Sequence, residues 1–196
     1  HDIAPLFRHY GGEKTHVISI MAGISAQTIR ETLSVDCMVS RVMPNTPAQL
    51  REGVSAICYA PDATPDEKAV VDDIFLSIGK IVPVQESLFN TITAISGSGP
   101  AFVYRFIEDM MAFGMAKGLS HAQATTLTAQ TFIGAAKMVL NAPNIEALIQ
   151  SVSSPKGTTV AGLAKMDELA LSQSIQHVLS AAETRAKEIE TDLGVS

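Results

Sequence analysis

The chain has 196 residues, of which 46% are hydrophobic and 17% charged, the balance of a folded protein with one large or two small cores rather than of a disordered one. A formal charge of −6 without a lysine/arginine cluster argues against nucleic acid and acidic membrane surfaces as partners. No apolar run approaches the roughly 20 residues that span a bilayer, and Asp2, Arg8, His9 and Lys14 interrupt the start where a signal peptide would be apolar.

Residues 2–10 read as a helix, which places His1 at a helical start, as in a processed or truncated chain. His16 to Met21 is a nearly unbroken apolar run ending in Ala22-Gly23, the pattern of a strand covered on both faces. Ser25 to Leu33 reads as a short helix with Ser25 as its cap. Cys37 to Met43 and Val54 to Ala60 are the next strands, the first stopped by Pro44. Thr64-Pro65-Asp66-Glu67 places a capping box and a first-turn proline at the start of a helix that runs to about Gly79. Gly79 there suits a left-handed stop. Lys80 to Val84 follows as an edge strand, because Pro83 removes a ladder donor. Alternation of this kind predicts a doubly wound α/β layer with a mostly parallel sheet.

Near residue 86 the hydrophobic period changes from strand-and-helix to helix alone. Pro100 to Lys117 reads as one helix stopped at Gly118, and Ser120 caps another that ends near Leu140. Ile175, Val178, Leu179, Ala182, Ala186 and Ile189 form a stripe on a last helix. The expected organisation is an α/β part over 1–86 and an all-α part over 87–196. Small residues such as Ala112, Gly114, Ala129 and Gly134, with Met110, Met111 and Met115, suit closely approaching helices, in a self-contained bundle or at a subunit interface.

Metal chemistry is not expected, since the five histidines and the cysteines Cys37 and Cys58 show no ligand spacing. Both cysteines sit in apolar stretches, as unpaired thiols do in a reducing, cytoplasmic compartment. Three other segments carry possible chemistry. Met43-Pro44-Asn45-Thr46-Pro47 lies at the carboxyl end of a strand, where ligands bind in open α/β sheets. Taken alone, the segment is read more simply as a rigid turn with polar caps. Ser96-Gly97-Ser98-Gly99-Pro100 lacks the third glycine of a dinucleotide fingerprint, Phe102 standing in its place. What remains is a glycine-rich entry into a helix, either a structural turn or an anion contact. Val152 to Thr159 (VSSPKGTT) precedes a helical run, and its hydroxyls beside bare helix-start amides suit a carboxylate or a plain cap.

Taken together, MPNTP, SGSGPA before a long helix, GAAKM (Gly134 to Met138) and SSPKGTT before AGL resemble, in order and separation, the pyrroline-5-carboxylate reductases. The resemblance covers essentially the whole chain. It implies a Rossmann-type domain followed by a helical domain that intertwines with a second subunit, as a dimer or a ring of dimers. It implies reduction of 1-pyrroline-5-carboxylate to L-proline by hydride transfer from NADPH, or from NADH. It also implies that His1-Asp2-Ile3 follows an N-terminal segment of roughly 70 residues carrying the G-x-G-x-x-G pyrophosphate turn; a chain without it lacks its main dinucleotide anchor.

Position by position, the resemblance implies that Ile20, Met21 and Ala22 lie beside the cofactor. Pro44, Asn45 and Thr46 lie near its ribose and nicotinamide, and Ser96 and Gly97 approach the nicotinamide. Glu86 matches a substrate-associated position. Val152, Ser154, Gly157 and Thr158 match the loop holding the substrate carboxylate, and Thr159 the catalytic-site hydroxyl on the ring nitrogen. Lys156 replaces the first of two glycines that the family places after the proline, which adds strain if that site needs positive φ. Other readings are a hydroxyacid dehydrogenase or ketopantoate reductase, with Lys137 as its helical lysine, and a non-catalytic dimerisation fragment.

Overall fold

A computed structural model describes residues 15–194 apart from 35 and 143. The helix read over 2–10 and the His1 start lie outside the described residues. The chain forms two compact units, one of the described residues up to Pro100 together with those from Val178 onward, the other of Ala101–His177. The hydrophobic period changes near residue 86. The compact unit runs further because Phe89 and Ala94 are buried in it.

In the α/β unit, β1 (His16–Ser19), β2 (Met38–Met43), β3 (Gly53–Cys58) and β4 (Gly79–Pro83) form one sheet in that order. β1 is parallel to β2, β2 antiparallel to β3, and β3 parallel to β4, so the sheet is mostly parallel. β1 is shorter than its apolar run, since the Ser19 hydroxyl accepts the Met21 amide at 3.3 Å and the chain turns. β4 is the edge that Pro83 predicts.

Two helices flank this sheet. Helix α1 (Ala26–Leu33) is capped by Ser25, whose side chain accepts from Thr28 N. Its Ala26, Ile29 and Leu33 bury against Val39. Helix α2 (Pro65–Leu76) begins with the Thr64/Glu67 capping box and sets Val71 and Phe75 on Val42 and Ile57. Val39 and Val42 point to opposite faces of β2, so both faces of this strand are covered. Each such fully buried side chain contributes about 1.5–3 kcal/mol.

The sequence expectation for Gly79 is corrected. Helix α2 ends at Ser77 in a right-handed conformation, and Gly79, with φ of 153°, opens β4 instead. A Cβ there would lie 2.0 Å from the Gly53 carbonyl oxygen. The glycine is needed for close strand approach, not for a helix stop.

After β4 a 3₁₀ turn (Glu86–Leu88) leads into the short helix α3 (Phe89–Ile92) and a π-helical turn (Thr93–Gly97). The carboxyl half of α8 (Leu171–Gly194) also belongs to this unit. Glu183 accepts from Thr91 Oγ1 at 2.7 Å and Glu190 from Asn90 Nδ2 at 2.6 Å. Ala186, on the predicted stripe, is buried.

The helical unit draws on α4 (Gly99–Ala116), α5 (His121–Asn141), α6 (Ile145–Ser151) and α7 (Thr158–Glu168). Gly118, with φ of 101°, stops α4 as its sequence predicts. Ser120 and Gln123 form a capping box at α5. Phe106 and Phe132 stack edge to face with centroids 5.8 Å apart. Among its described residues only Ala124 and Thr128 are buried, while Phe113 is 69% exposed and Leu127 58%.

Candidate active site

The loops that follow β1 and β2 leave the sheet at the same end, because those strands are parallel. They border a cleft of about 480 Å³ lined by Ile20 and Ala22 from the first loop and Pro44, Asn45 and Thr46 from the second. Thr93 and Gly97 of the π-helical turn close a third side. Six of the eight residues assigned to cofactor contact from sequence therefore share one cleft; Met21 and Ser96 are not among its lining residues.

Local chemistry fixes each wall. Asn45 Oδ1 accepts the Val54 amide at 3.0 Å, pinning the second loop to the start of β3. The oxygen of that carboxamide is thus committed, and its two N–H donors bond no described residue. Thr46 opens a 3₁₀ turn (Thr46–Leu50) with Pro47 in its first turn. Gly23 has φ of 70°, and a Cβ there would meet Ile189 Cγ2 at 2.6 Å. The third wall approaches the second closely, since a Cβ on Gly97 would stand 3.2 Å from Met43 Cε. Thr93 Oγ1 donates to the Phe89 carbonyl at 2.7 Å, and Ser96 Oγ donates to the Ile92 carbonyl at 3.1 Å.

Met43, Ala48, Gln49 and Ile78 also line the cleft. Ala48, Gln49, Ile78 and Thr93 were missed because nothing in their spacing marks them; the antiparallel step from β2 to β3, which brings Ile78 to the carboxyl end of β2, is a property of the sheet alone. The floor is apolar, the backbone approachable at Ala22 and Gly97, and amide donors stand at Asn45. Such a donor set fits the flat ring and carboxamide of a nicotinamide.

Glu86 sits in the same unit. Its Oε1 receives the Ala26 amide at 2.7 Å and Arg41 Nη1 at 3.0 Å. Arg41, on β2, is only 3% exposed, and its guanidinium lies 4.4 Å from the centroid of the Phe89 ring. Cys58 pairs with Arg41 across the β2–β3 ladder. Burial pushes its thiol up, with the Glu86 charge adding to the shift, and burial likewise raises the buried Cys37. Neither is a poised thiolate. Among the described residues no cluster of histidine, cysteine, aspartate or glutamate could hold a metal ion, and no helix is long and apolar enough to cross a membrane.

The loop from Val152 to Thr159 lies in the helical unit. Ser153 Oγ donates to the Ile149 carbonyl at 2.7 Å, and the Gly157 amide donates to the Ser154 carbonyl at 2.9 Å. That turn puts Lys156 at φ of 59°, so the lysine occupies the strained position its sequence context predicts. The turn is tight at Gly157, where a Cβ would fall 2.4 Å from Ser154 Oγ and 2.9 Å from the Ser154 carbonyl oxygen. Gly157 is the N-cap of α7, with no side chain accepting from the first-turn amides. Thr158 is exposed and Thr159 half-buried. The result is a helix start with bare donors, flanked by hydroxyls and a free lysine ammonium. Lys137, the helical lysine of the alternative reading, is exposed on α5.

Residues 86–189 match the family described as pyrroline-5-carboxylate reductase dimerisation. The chain is 38% identical over 174 residues to the pyrroline-5-carboxylate reductase of Methanosarcina acetivorans, covering 88% of this chain and 64% of that protein. It is 37% identical over 180 residues to that of Synechocystis sp., covering 91% and 67%. The crystal structure of Plasmodium falciparum pyrroline carboxylate reductase with NADP bound superposes with a TM-score of 0.85 at 30% identity, over 96% of this chain and 75% of that one. The chain thus spans 64% of the length of the first of these relatives and 67% of the second. With the family's motifs in order, a family model matched over 86–189 and a matching fold, the chain belongs to the pyrroline-5-carboxylate reductase family.

Proposed function

We propose that this chain carries out the reaction its family is named for, reduction of 1-pyrroline-5-carboxylate to L-proline with NADPH, or with NADH. A reduced nicotinamide bound in the cleft supplies the hydride. Ile20, Ala22, Pro44, Asn45, Thr46 and Gly97 bind and orient it, with Met21 and Ser96 shaping the loops that carry them. The observation that carries the reading is the start of α7, a helix of 11 residues whose first amides no side chain caps.

Those amides suit the substrate carboxylate, backed by the helix dipole and by Ser154 and Thr158. Val152 and Gly157 give that loop its shape. Thr159 then places its hydroxyl at the ring nitrogen. Protonation of that nitrogen makes the C=N carbon electrophilic, and hydride addition leaves a secondary amine. An unactivated threonine is a weak acid, so its contribution is to hold the imine in register rather than to supply the proton. Glu86, whose Oε1 is engaged by Arg41 and Ala26, acts within the α/β unit that holds the cofactor cleft.

The helical unit is proposed to self-associate, as a dimer or a ring of dimers, because its chain alone buries almost none of its large apolar side chains. Following NADPH oxidation by absorbance in the presence of pyrroline-5-carboxylate tests the reaction. Turnover is expected, and Thr159→Val is expected to lower kcat/KM by about 10- to 100-fold with NADPH affinity unchanged. No NADPH consumption by the parent protein, across a range of imine concentrations, sinks the proposal.

A further inference from the structure

We propose that Arg41 and Glu86 are positioning residues, a three-way clasp that sets the spacing of the cofactor cleft's walls; the proposal rests on the reductase reading above. The three walls come from distant parts of the chain, and each is tied near its root to one carboxylate oxygen. The Ala26 amide, reached 60 residues away in sequence, stands at the end of the loop that carries Ile20 and Ala22. Arg41, reached 45 residues away, lies on β2 just before the Met43–Thr46 wall. Glu86 itself opens the turn that runs through Phe89 to Thr93 and Gly97. The Arg41 guanidinium over the Phe89 ring adds a second tie between the last two walls.

Stability alone does not call for this arrangement. Arg41 is buried on a central strand, and its Nε has no partner. A buried charge so incompletely satisfied is seldom better than an apolar side chain of similar volume. Val39 and Met43, on the same face of β2, are ordinary core residues. Between them a methionine would fill the space without the desolvation penalty. What the ion pair provides that a methionine cannot is direction, since a guanidinium and a carboxylate fix both distance and angle between the elements that bear them.

The test uses the double variant Arg41→Met/Glu86→Gln, which removes both charges together and so leaves no orphaned ion. Its melting temperature is expected to stay near that of the parent. Amide hydrogen exchange of the ligand-free protein at Ala22–Ala26 and Asn45–Gln49 is expected to speed up by roughly tenfold, and NADPH affinity by fluorescence titration to weaken by about as much. The KM for the imine is expected to move less than the KM for NADPH. Glu86→Asp, whose carboxylate is one methylene shorter, is expected to give the same pattern more weakly, and serves if the double variant does not fold. An unchanged exchange pattern overturns the clasp, as does loosening of the loops with unchanged NADPH affinity. A rise confined to the imine KM overturns it too, because it would put Glu86 on the substrate. Should the parent bind no nucleotide, that failure belongs to the proposed reaction, and the exchange pattern alone decides the clasp.

Discussion

The cleft and the loop before α7 are built on opposite principles. Around the cleft, geometry is fixed by contacts between residues far apart in sequence, Glu86 with Ala26 and Arg41 and Gly53 with Gly79, and by the nine-residue link from Asn45 to Val54. In the Val152–Thr159 loop, the hydrogen bonds that shape it join residues no more than four apart, and the decisive quantity is a single backbone dihedral at Lys156. Geometry built from long-range contacts stands or falls with the fold, whereas geometry built locally can be tuned by one residue.

The largest expected effect breaks the long-range half. Gly79→Ala introduces a Cβ 2.0 Å from a backbone oxygen of the neighbouring strand at a φ of 153°. Neither obstacle can move without parting β3 from β4. The loss is expected to exceed about 3 kcal/mol, read as a lowered chemical-denaturation midpoint or as failure to accumulate soluble protein. A variant of parental stability would mean that β3 and β4 can separate at that end, and that the close approach does not anchor the Ile78 side of the cleft.

The same contrast separates what the sequence discloses from what it hides. Caps at Ser25, Thr64 and Ser120 were legible because a cap is a dialogue between residues three apart. So was the alternation that makes an α/β sheet, whereas the strain at Lys156 was expected only through the glycine that the family places there. Periodicity says which face of a strand is covered but not by what. It therefore could not show that Arg41 on β2 meets Glu86, that Asn45 spends its oxygen on Val54, or that the stripe ending in Ile189 returns to the α/β unit beside Gly23. Gly79 was misread for the same reason. A glycine after a helix is explained locally by a left-handed stop, and only the neighbouring strand shows that a second demand prevails.

An intermediate effect sharpens the local half. Lys156 has φ of 59° without being glycine, and its side chain is exposed. Replacement by glycine relieves the left-handed penalty while adding freedom to the unfolded chain, so Lys156→Gly is expected to stabilise by about 0.5–1 kcal/mol. The gain appears as a higher denaturation midpoint with an unchanged slope. If the lysine charge also draws the carboxylate inward, the imine KM rises by roughly twofold at low ionic strength and converges with the parent at high salt. A KM unchanged at every ionic strength would leave Lys156 with a conformational role only.

The smallest effect returns to a longer-range contact, away from the cleft. The Tyr59 hydroxyl donates to Asp72 Oδ1 at 2.5 Å. Burial first, then that bond, then the Asp72 charge push the phenol from 10.0 up to about 12. The folded state thus holds the proton more tightly than the unfolded chain does. The contribution is fully present below about pH 10, then lost as pH rises toward 12, because the unfolded state ionises first. Tyr59 is only half-buried, so solvent screens most of the interaction and the slope is shallow. In Tyr59→Phe the decline of the denaturation midpoint across that window is expected to be flatter than in the parent, with little difference near neutrality. Parallel curves for the two proteins would show that the Tyr59–Asp72 bond contributes nothing that titration can remove.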